Sequence, residues 1–104
     1  MEIKTKFLHL DADEKLVAFV EKKVSRLEKF FESAASTAEV VLEDIKEGKK
    51  SKIQIQVPGD ELIIERVADT FENSITECVD AMKEKLTRVK EKKYELHGRV
   101  QVLA

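Results

Sequence analysis

The stretch DADEKLVAFVEKKVSRLEKFF, residues 11–31, decides the fold because its apolar side chains recur with the period of an α-helix. Successive apolar positions are spaced by four, four, three and four residues, which predicts one buried helical stripe. The stripe consists of Leu16, Val20, Val24, Leu27 and Phe31, with Phe30 at its border. Asp11 or Asp13 can cap this helix, since an Asp side chain accepts hydrogen bonds from the free amides of the first turn.

Short alternating segments on both sides of this helix predict four strands. Residues 2–10 alternate between apolar and polar side chains, and residues 38–45 are rich in β-branched residues. EGKK at residues 47–50 is expected to be a turn. KIQIQV at residues 52–57 then alternates strictly and is predicted to be a third strand. ELIIERV at residues 61–67 is predicted to be the fourth. Between these two segments, Pro58 and Gly59 suit the centre of a type II turn, so the pair is predicted to form a hairpin.

A second helix is predicted in the last third of the chain. Residues 69–72, Asp-Thr-Phe-Glu, have the spacing of a capping box. The following apolar residues step by four, three, four and three, and they are Ile75, Val79, Met82, Leu86 and Val89. We expect this helix to end near Leu96, with Gly98 as the left-handed residue after its end. The alternation in residues 99–104, RVQVLA, is open to three interpretations: a small strand, an oligomer contact or a mobile tail.

The predicted order of elements is therefore β-α-β-β-β-α, an α+β fold. A strand, a helix and a second strand in one sheet form a right-handed crossover, and two helices with one apolar stripe each would cover one face of a four-stranded mixed sheet. A chain of 104 residues with 42% apolar residues can bury one core. We expect a single domain over residues 1–97 and a C-terminal tail of uncertain structure over residues 98–104.

Composition and motif content argue against several classes of protein. Neither a long apolar segment nor a secretory leader is recognised, so the chain is expected to stay in the cytosol without a membrane partner. Cys78 is the only cysteine, which excludes an internal disulfide, and it is interpreted as a small core residue. His9 and His97 have no neighbours at metal-ligand spacing. Glycine-rich phosphate loops and nucleophile motifs are absent, so neither an enzyme, a cofactor nor a small-molecule substrate is expected.

Charge is distributed unevenly along the chain. KEKLTRVKEKK, residues 83–93, holds six basic against two acidic side chains, although the whole chain has 19 basic and 21 acidic residues. The first helix separates a basic flank from an acidic one. The basic flank comprises Lys15, Lys22, Arg26 and Lys29, and the acidic flank comprises Glu14, Glu21, Glu28 and Glu32. Because opposite charges four residues apart stabilise a helix by about 0.2–0.5 kcal/mol, this separation hints at an external anion. A flank that is merely solvated is the competing interpretation.

The second helix gives a weaker version of this signal. Asp80 with Lys83 and Glu84 with Arg88 are spaced for intrahelical ion pairs, so part of its positive charge is compensated. A net basic excess remains. If the two helices pack side by side, basic groups from both border one surface, which would suit a phosphate chain.

Three segments together resemble one known family. FLHLDADEKLVAFVEKKVSRLEKFF at residues 7–31 is similar to the first strand and helix of the ribosome hibernation-promoting factors, also called ribosome-associated inhibitors. VPGDELIIERVADTF at residues 57–71 resembles their last hairpin, and VDAMKEKLTRVKEKK at residues 79–93 resembles their basic C-terminal helix. The resemblance covers about residues 1–93, and EKKVSRLEKFF at residues 21–31 is its most specific part.

The resemblance implies a non-enzymatic translation factor of the same fold, active under stress or in stationary phase. Such factors bind the small ribosomal subunit between head and body, where they occupy the positions of messenger RNA and transfer RNA. Basic residues of both helices face ribosomal RNA (rRNA). The positions that carry over are Lys22, Lys23, Arg26, Lys29, Arg88, Lys90 and Lys92, with Lys83 and Lys85 as additions.

The chain departs from the family pattern at two places in the second helix and at its end. Glu84 and Thr87 stand where many members are basic, which weakens the electrostatic argument. The additional domain with which long members pair two ribosomes is not found, so a short form is expected.

Two other functions remain as alternatives. One is a protein-interaction module whose basic flank meets an acidic protein, and the other is a small α/β enzyme with a pocket lined by His9 or Cys78.

Overall fold

The predicted order of elements is confirmed. The structure, a computed structural model, describes residues 2–30, 37–57 and 60–103, with side chains described as far as residue 88 except at 57 and 60. The elements are β1 (Glu2–Leu8), α1 (Glu14–Val24), a 3₁₀ helix η1 (Ser25–Phe30), β2 (Thr37–Ile45), β3 (Gly48–Val57), β4 (Asp60–Ala68) and α2 (Phe71–Leu103). The turn predicted at Pro58 and Gly59 lies outside the described residues.

The four strands form one mixed sheet in the order β1-β2-β3-β4, as predicted. β1 and β2 are parallel and joined by the helical crossover, whereas β2, β3 and β4 are antiparallel neighbours. One register row runs through Thr5, Val40, Ile53 and Ile64. The β2–β3 turn consists of Lys46 and Glu47 alone, because residues 48–50 already pair in β3. The turn predicted at residues 47–50 was thus placed too late.

The core lies between one face of the sheet and the helices, which pack on that face together. Its buried apolar residues are Leu16, Val20, Val24, Leu27, Ala38, Val40, Leu42, Ile53, Ile55, Leu62, Phe71, Ile75, Cys78, Val79, Met82 and Leu86. Strand residues alternate between this core and the open face, as the period of two requires. The interpretation of Cys78 as a core residue is confirmed.

Side chains of the preceding loops cap both α-helices. Asp13 is the N-cap of α1, where its Oδ1 accepts a hydrogen bond from the Lys15 amide at 2.8 Å. In α2 the Asn73 amide donates to Thr70 Oγ1 at 3.1 Å, which makes Thr70 the capping residue. The predicted capping box began one residue earlier, at Asp69. That carboxylate instead accepts from the Asn73 side-chain amide at 2.8 Å, which lowers the pKa of Asp69.

The first helix changes its winding at Ser25. The sequence predicted one α-helix as far as Phe31, but the α-helix ends at Val24 and continues as η1. Val24, Leu27 and Phe30 are each three residues apart, and a 3₁₀ helix with three residues per turn aligns all three toward the core. Phe30 therefore packs against the core, whereas Phe31, the predicted stripe residue, lies outside the described part of the chain.

α2 is longer than predicted. It continues to Leu103, so the expected helix end near Leu96 and the small strand in residues 99–104 are both wrong. Gly98 lies inside the helix, where a glycine costs only about 1 kcal/mol relative to alanine. Within the described residues, no helix is long and apolar enough to cross a membrane.

Candidate nucleic-acid interface

A cleft runs between the first helical unit, α1 with η1, and α2. It is lined by Lys23, Arg26, Thr76, Asp80 and Lys83, over a floor of Leu27 and Val79. The floor residues belong to the two apolar stripes that pack the helices together, and both are buried. The polar lining residues come from the flanks of those stripes. Packing of the helices therefore brings Lys83 to the same surface as Lys23 and Arg26, which are about 60 residues away in the sequence. This surface is called the inter-helix cleft.

No ion pair holds the cations of the inter-helix cleft among the described side chains. Among the described side chains, no carboxylate lies within 4.0 Å of the charged groups of Lys23, Arg26 or Lys83. The ion pair predicted between Asp80 and Lys83 is therefore wrong. Lys23 Nζ instead lies 5.5 Å from the centre of the Phe19 ring, a cation–π contact that leaves its hydrogen-bond donors available.

Among the described residues that line the inter-helix cleft, Asp80 is the only acidic one. Its formal charge offsets one of the three cations, so the cleft retains a positive excess. The sequence did not single out Asp80 or Thr76 as part of a site. Their spacing contained the signal, because Thr76, Asp80 and Lys83 lie four and three residues apart and so share one edge of α2.

On the outer surface of α2, an arginine forms an ion pair with a glutamate of the same helix. Arg88 Nη2 lies 2.9 Å from Glu84 Oε1, which confirms the predicted pair. Both side chains are exposed, so the pair contributes little to stability. A shallow surface that adjoins the cleft includes Arg88 and Glu84 together with Lys83. The Thr87 hydroxyl donates to the Lys83 carbonyl at 2.8 Å and is thus tied to the helix backbone.

Three of the nine basic residues singled out from the sequence, Lys23, Arg26 and Lys83, line the inter-helix cleft. Lys22, Lys29, Lys85 and Arg88 are exposed but do not line it. Lys90 and Lys92 lie beyond residue 88, outside the described side chains. Lys22 is on the flank of α1 about 100° from Lys23, and Lys85 lies on the other edge of α2 from Lys83.

Two lysines on the open face of the sheet, unlike those of the cleft, lie close to carboxylates. Lys6 Nζ lies 2.9 Å from Glu39 Oε1, and this contact holds the pKa of Glu39 below its usual range. Lys50 lies between Glu43 and Glu65, at 3.9 and 3.7 Å. Lys6 and Lys50 of this face thus have carboxylates of the same chain within 4.0 Å, whereas among the described residues Lys23, Arg26 and Lys83 do not.

Cys78 and His9, the residues of the enzyme alternative, lie in different environments. Cys78 is fully buried, where its Sγ donates to the Ser51 carbonyl at 3.2 Å, and burial raises its pKa to about 12. His9 is exposed and lies 3.5 Å from Glu43 on the open face. Within the described part of the chain, no cluster of three or more His, Cys, Asp or Glu residues could hold a metal ion.

One family model matches most of the chain, and two solved structures share its fold. A family model described as sigma 54 modulation protein / S30EA ribosomal protein matches residues 3–94. The N-terminal domain of Protein Y from Thermus thermophilus is 26% identical, with a TM-score of 0.78 over 86% of this chain and 99% of that one. A ribosomal subunit interface protein from Coxiella burnetii shares the fold at 17% identity, with a TM-score of 0.75 over 88% and 99% of the two chains. A search of curated protein sequences finds no match.

Proposed function

Because the chain belongs to the sigma 54 modulation protein / S30EA ribosomal protein family, we propose that it binds the small ribosomal subunit through rRNA and arrests translation. The family makes it a ribosome-associated hibernation or modulation factor, as the resemblance of its sequence predicted. In the proposal, the folded body occupies the groove between head and body of the subunit. Messenger RNA and transfer RNA are then excluded by occupancy, without an enzymatic step or a cofactor, and the protein acts in the cytosol.

The observation that carries this proposal is the contrast between the two surfaces. On the open face of the sheet, Lys6 and Lys50 lie within 4.0 Å of carboxylates of their own chain, at 2.9 Å for Lys6 with Glu39. Lys23, Arg26 and Lys83 converge on one cleft, and among the described residues no carboxylate comes close enough to pair with them. Phosphate groups of rRNA would supply the missing negative charge.

Binding of this kind draws its free energy from counterion release. Each Lys or Arg that neutralises a phosphate releases condensed cations, so the logarithm of affinity falls with the logarithm of salt concentration by about 0.7–0.9 per contact. Lys23, Arg26 and Lys83 would each contribute one contact. Lys29, Lys85 and Arg88 are further candidates for phosphate contacts in this proposal, and so are Lys90 and Lys92, whose side chains lie outside those described. Lys22 does not line the cleft and is not required for binding in this proposal. Arg88 must exchange its Glu84 partner for a phosphate, so its contribution should be smaller.

The test is the affinity for purified small subunits as a function of salt. Arg26→Gln and Lys83→Gln should each lower the salt slope by about one unit, because each removes one phosphate contact. Lys50→Gln is the matched control, since it removes the same charge from the sheet face. If the double variant Arg26→Gln with Lys83→Gln keeps the affinity and slope of the wild type, the inter-helix cleft is not the binding surface.

A nuclease control separates RNA from the alternative partner, an acidic protein. Association that depends on rRNA should disappear from sedimentation profiles after ribonuclease treatment. Association with an acidic protein would survive that treatment, and such a result would favour the interaction-module alternative over the proposal.

A further inference from the structure

The change of winding at Ser25 rearranges the basic side chains beside the inter-helix cleft. η1 comprises six residues, although runs of 3₁₀ helix longer than three or four residues are uncommon. The winding follows from the core, because Val24, Leu27 and Phe30 all pack inward at three-residue spacing. Arg26 and Lys29 directly precede Leu27 and Phe30 in the sequence, so they are also three residues apart. The same winding therefore points both basic side chains in one direction.

The effect on direction is large. In a continuous α-helix, Lys23, Arg26 and Lys29 would point in directions about 60° apart at each step, a fan of about 120° in all. In the observed winding, Arg26 and Lys29 are eclipsed, because a 3₁₀ helix completes one turn in three residues. Lys23, at the end of α1, then lies within about 20° of both. The three residues form one straight line, here called the basic edge.

Side-chain positions agree with this geometry. Lys23 and Arg26 both line the inter-helix cleft, whereas Lys22, adjacent in sequence to Lys23, does not. Lys29 is exposed, and its Nζ lies 5.5 Å from the centre of the Phe30 ring. Along η1, residues three apart are separated by about 6 Å of axial rise. That separation is on the scale of the step between successive phosphates along one strand.

We infer that the basic edge, Lys23, Arg26 and Lys29, binds consecutive phosphates of one continuous RNA strand, with Lys83 contacting the same strand from across the cleft. The inference rests on the proposed function and deepens it. A line of evenly spaced cations matches the phosphates of a single strand, whereas a fan would reach phosphates on different strands. Lys22, which faces away from this line, is not part of the contact.

Relocating one charge tests the geometry without changing composition. In the double variant Ser25→Arg with Arg26→Ser, the arginine moves one position, about 120° around η1, at constant net charge. The single variant Arg26→Ser should weaken binding to small subunits by about tenfold at low salt. The double variant should bind as weakly as that single variant, because its arginine no longer lies on the basic edge.

The outcomes separate this inference from the proposed function. If Arg26→Ser weakens binding and relocation restores it, total charge is sufficient and the basic edge is refuted, while rRNA binding stands. If neither variant differs from the wild type, Arg26 makes no contact and both the edge and the proposed surface fail.

A second pair of variants does not depend on how a relocated arginine is tolerated. Lys22→Gln and Lys23→Gln remove the same charge from neighbouring positions of α1, and neither side chain is part of the buried core. Lys23→Gln should lower the salt slope by about one unit, and Lys22→Gln should leave it unchanged. Equal losses for the two variants would overturn the inference.

Discussion

Ser51 on β3 and Ser74 on α2 meet inside the apolar core, where their hydroxyl oxygens lie 2.5 Å apart and neither residue is exposed. The Ser74 hydroxyl is also 3.2 Å from the Phe71 carbonyl, so it can donate there and accept from Ser51. Buried hydroxyl groups require hydrogen-bond partners. These two hydroxyls meet only when α2 is placed along its axis so that Ser74 lies opposite Ser51 of β3. The contact therefore helps set the position of Lys83, further along the same helix.

Removing either serine should destabilise the fold, by unequal amounts. Ser74→Ala leaves the buried Ser51 hydroxyl without its partner and should cost about 1–3 kcal/mol. Ser51→Ala should cost less, because Ser74 keeps the Phe71 carbonyl as an acceptor. The double variant should lose less than the sum of the single variants, since no hydroxyl is then stranded. Urea unfolding of all four proteins measures the coupling, and strictly additive losses would contradict it.

Gly48 is expected to resist substitution. It begins β3 with φ at 147°, and a Cβ atom there would lie 2.7 Å from the Ala68 carbonyl oxygen. Gly48→Ala should therefore reduce the free energy of unfolding by about 1–3 kcal/mol. Lys46→Ala in the same turn is the control, since Lys46 is exposed and should change stability by less than about 0.5 kcal/mol. Equal thermal stability of the two variants would argue against this backbone geometry.

Cys78 should be inert in the folded protein. Burial raises the pKa of its thiol to about 12, so at neutral pH iodoacetamide should modify it only after unfolding in urea. The folded state keeps the thiol proton that the unfolded chain releases above about pH 9. The contribution of Cys78 to stability is thus constant below that pH and lost as pH rises toward 12. The stability difference between wild type and Cys78→Ala should shrink over this window, and rapid native alkylation would contradict the prediction.

Asp80 should weaken RNA binding in the wild type. Its carboxylate lies in the inter-helix cleft among Lys23, Arg26 and Lys83, where it repels an incoming phosphate. Asp80→Asn should raise the affinity for small subunits by about threefold to tenfold at low salt, with a smaller gain at high salt because screening weakens the repulsion. Glu77→Gln makes the same change in charge on α2 outside the cleft and should have a smaller effect. Equal gains would show that only net charge matters.

Periodicity was sufficient for the element order and most of the core. Alternation at Ile53 and Ile55 and the spacing of Ile75, Val79 and Met82 each have one way to bury their apolar side chains, so strand and helix follow from them. Element ends were less determined, because several local solutions have similar energies. Asp69 and Thr70 are both good caps, and a glycine at position 98 costs too little to stop a helix on its own.

The candidate site depended on tertiary structure. The sequence alone identified an excess of basic residues on two helices, but not which of them would face one another. Packing of Leu27 and Phe30 selected a 3₁₀ winding over an α-helix that would have used Phe31, and this choice aligned Arg26 with Lys29. Packing of α2 against the first helix then set Asp80 and Lys83 opposite Lys23. Local patterns determine which face of an element is buried, whereas the direction of an exposed flank is set by the neighbours that cover that face.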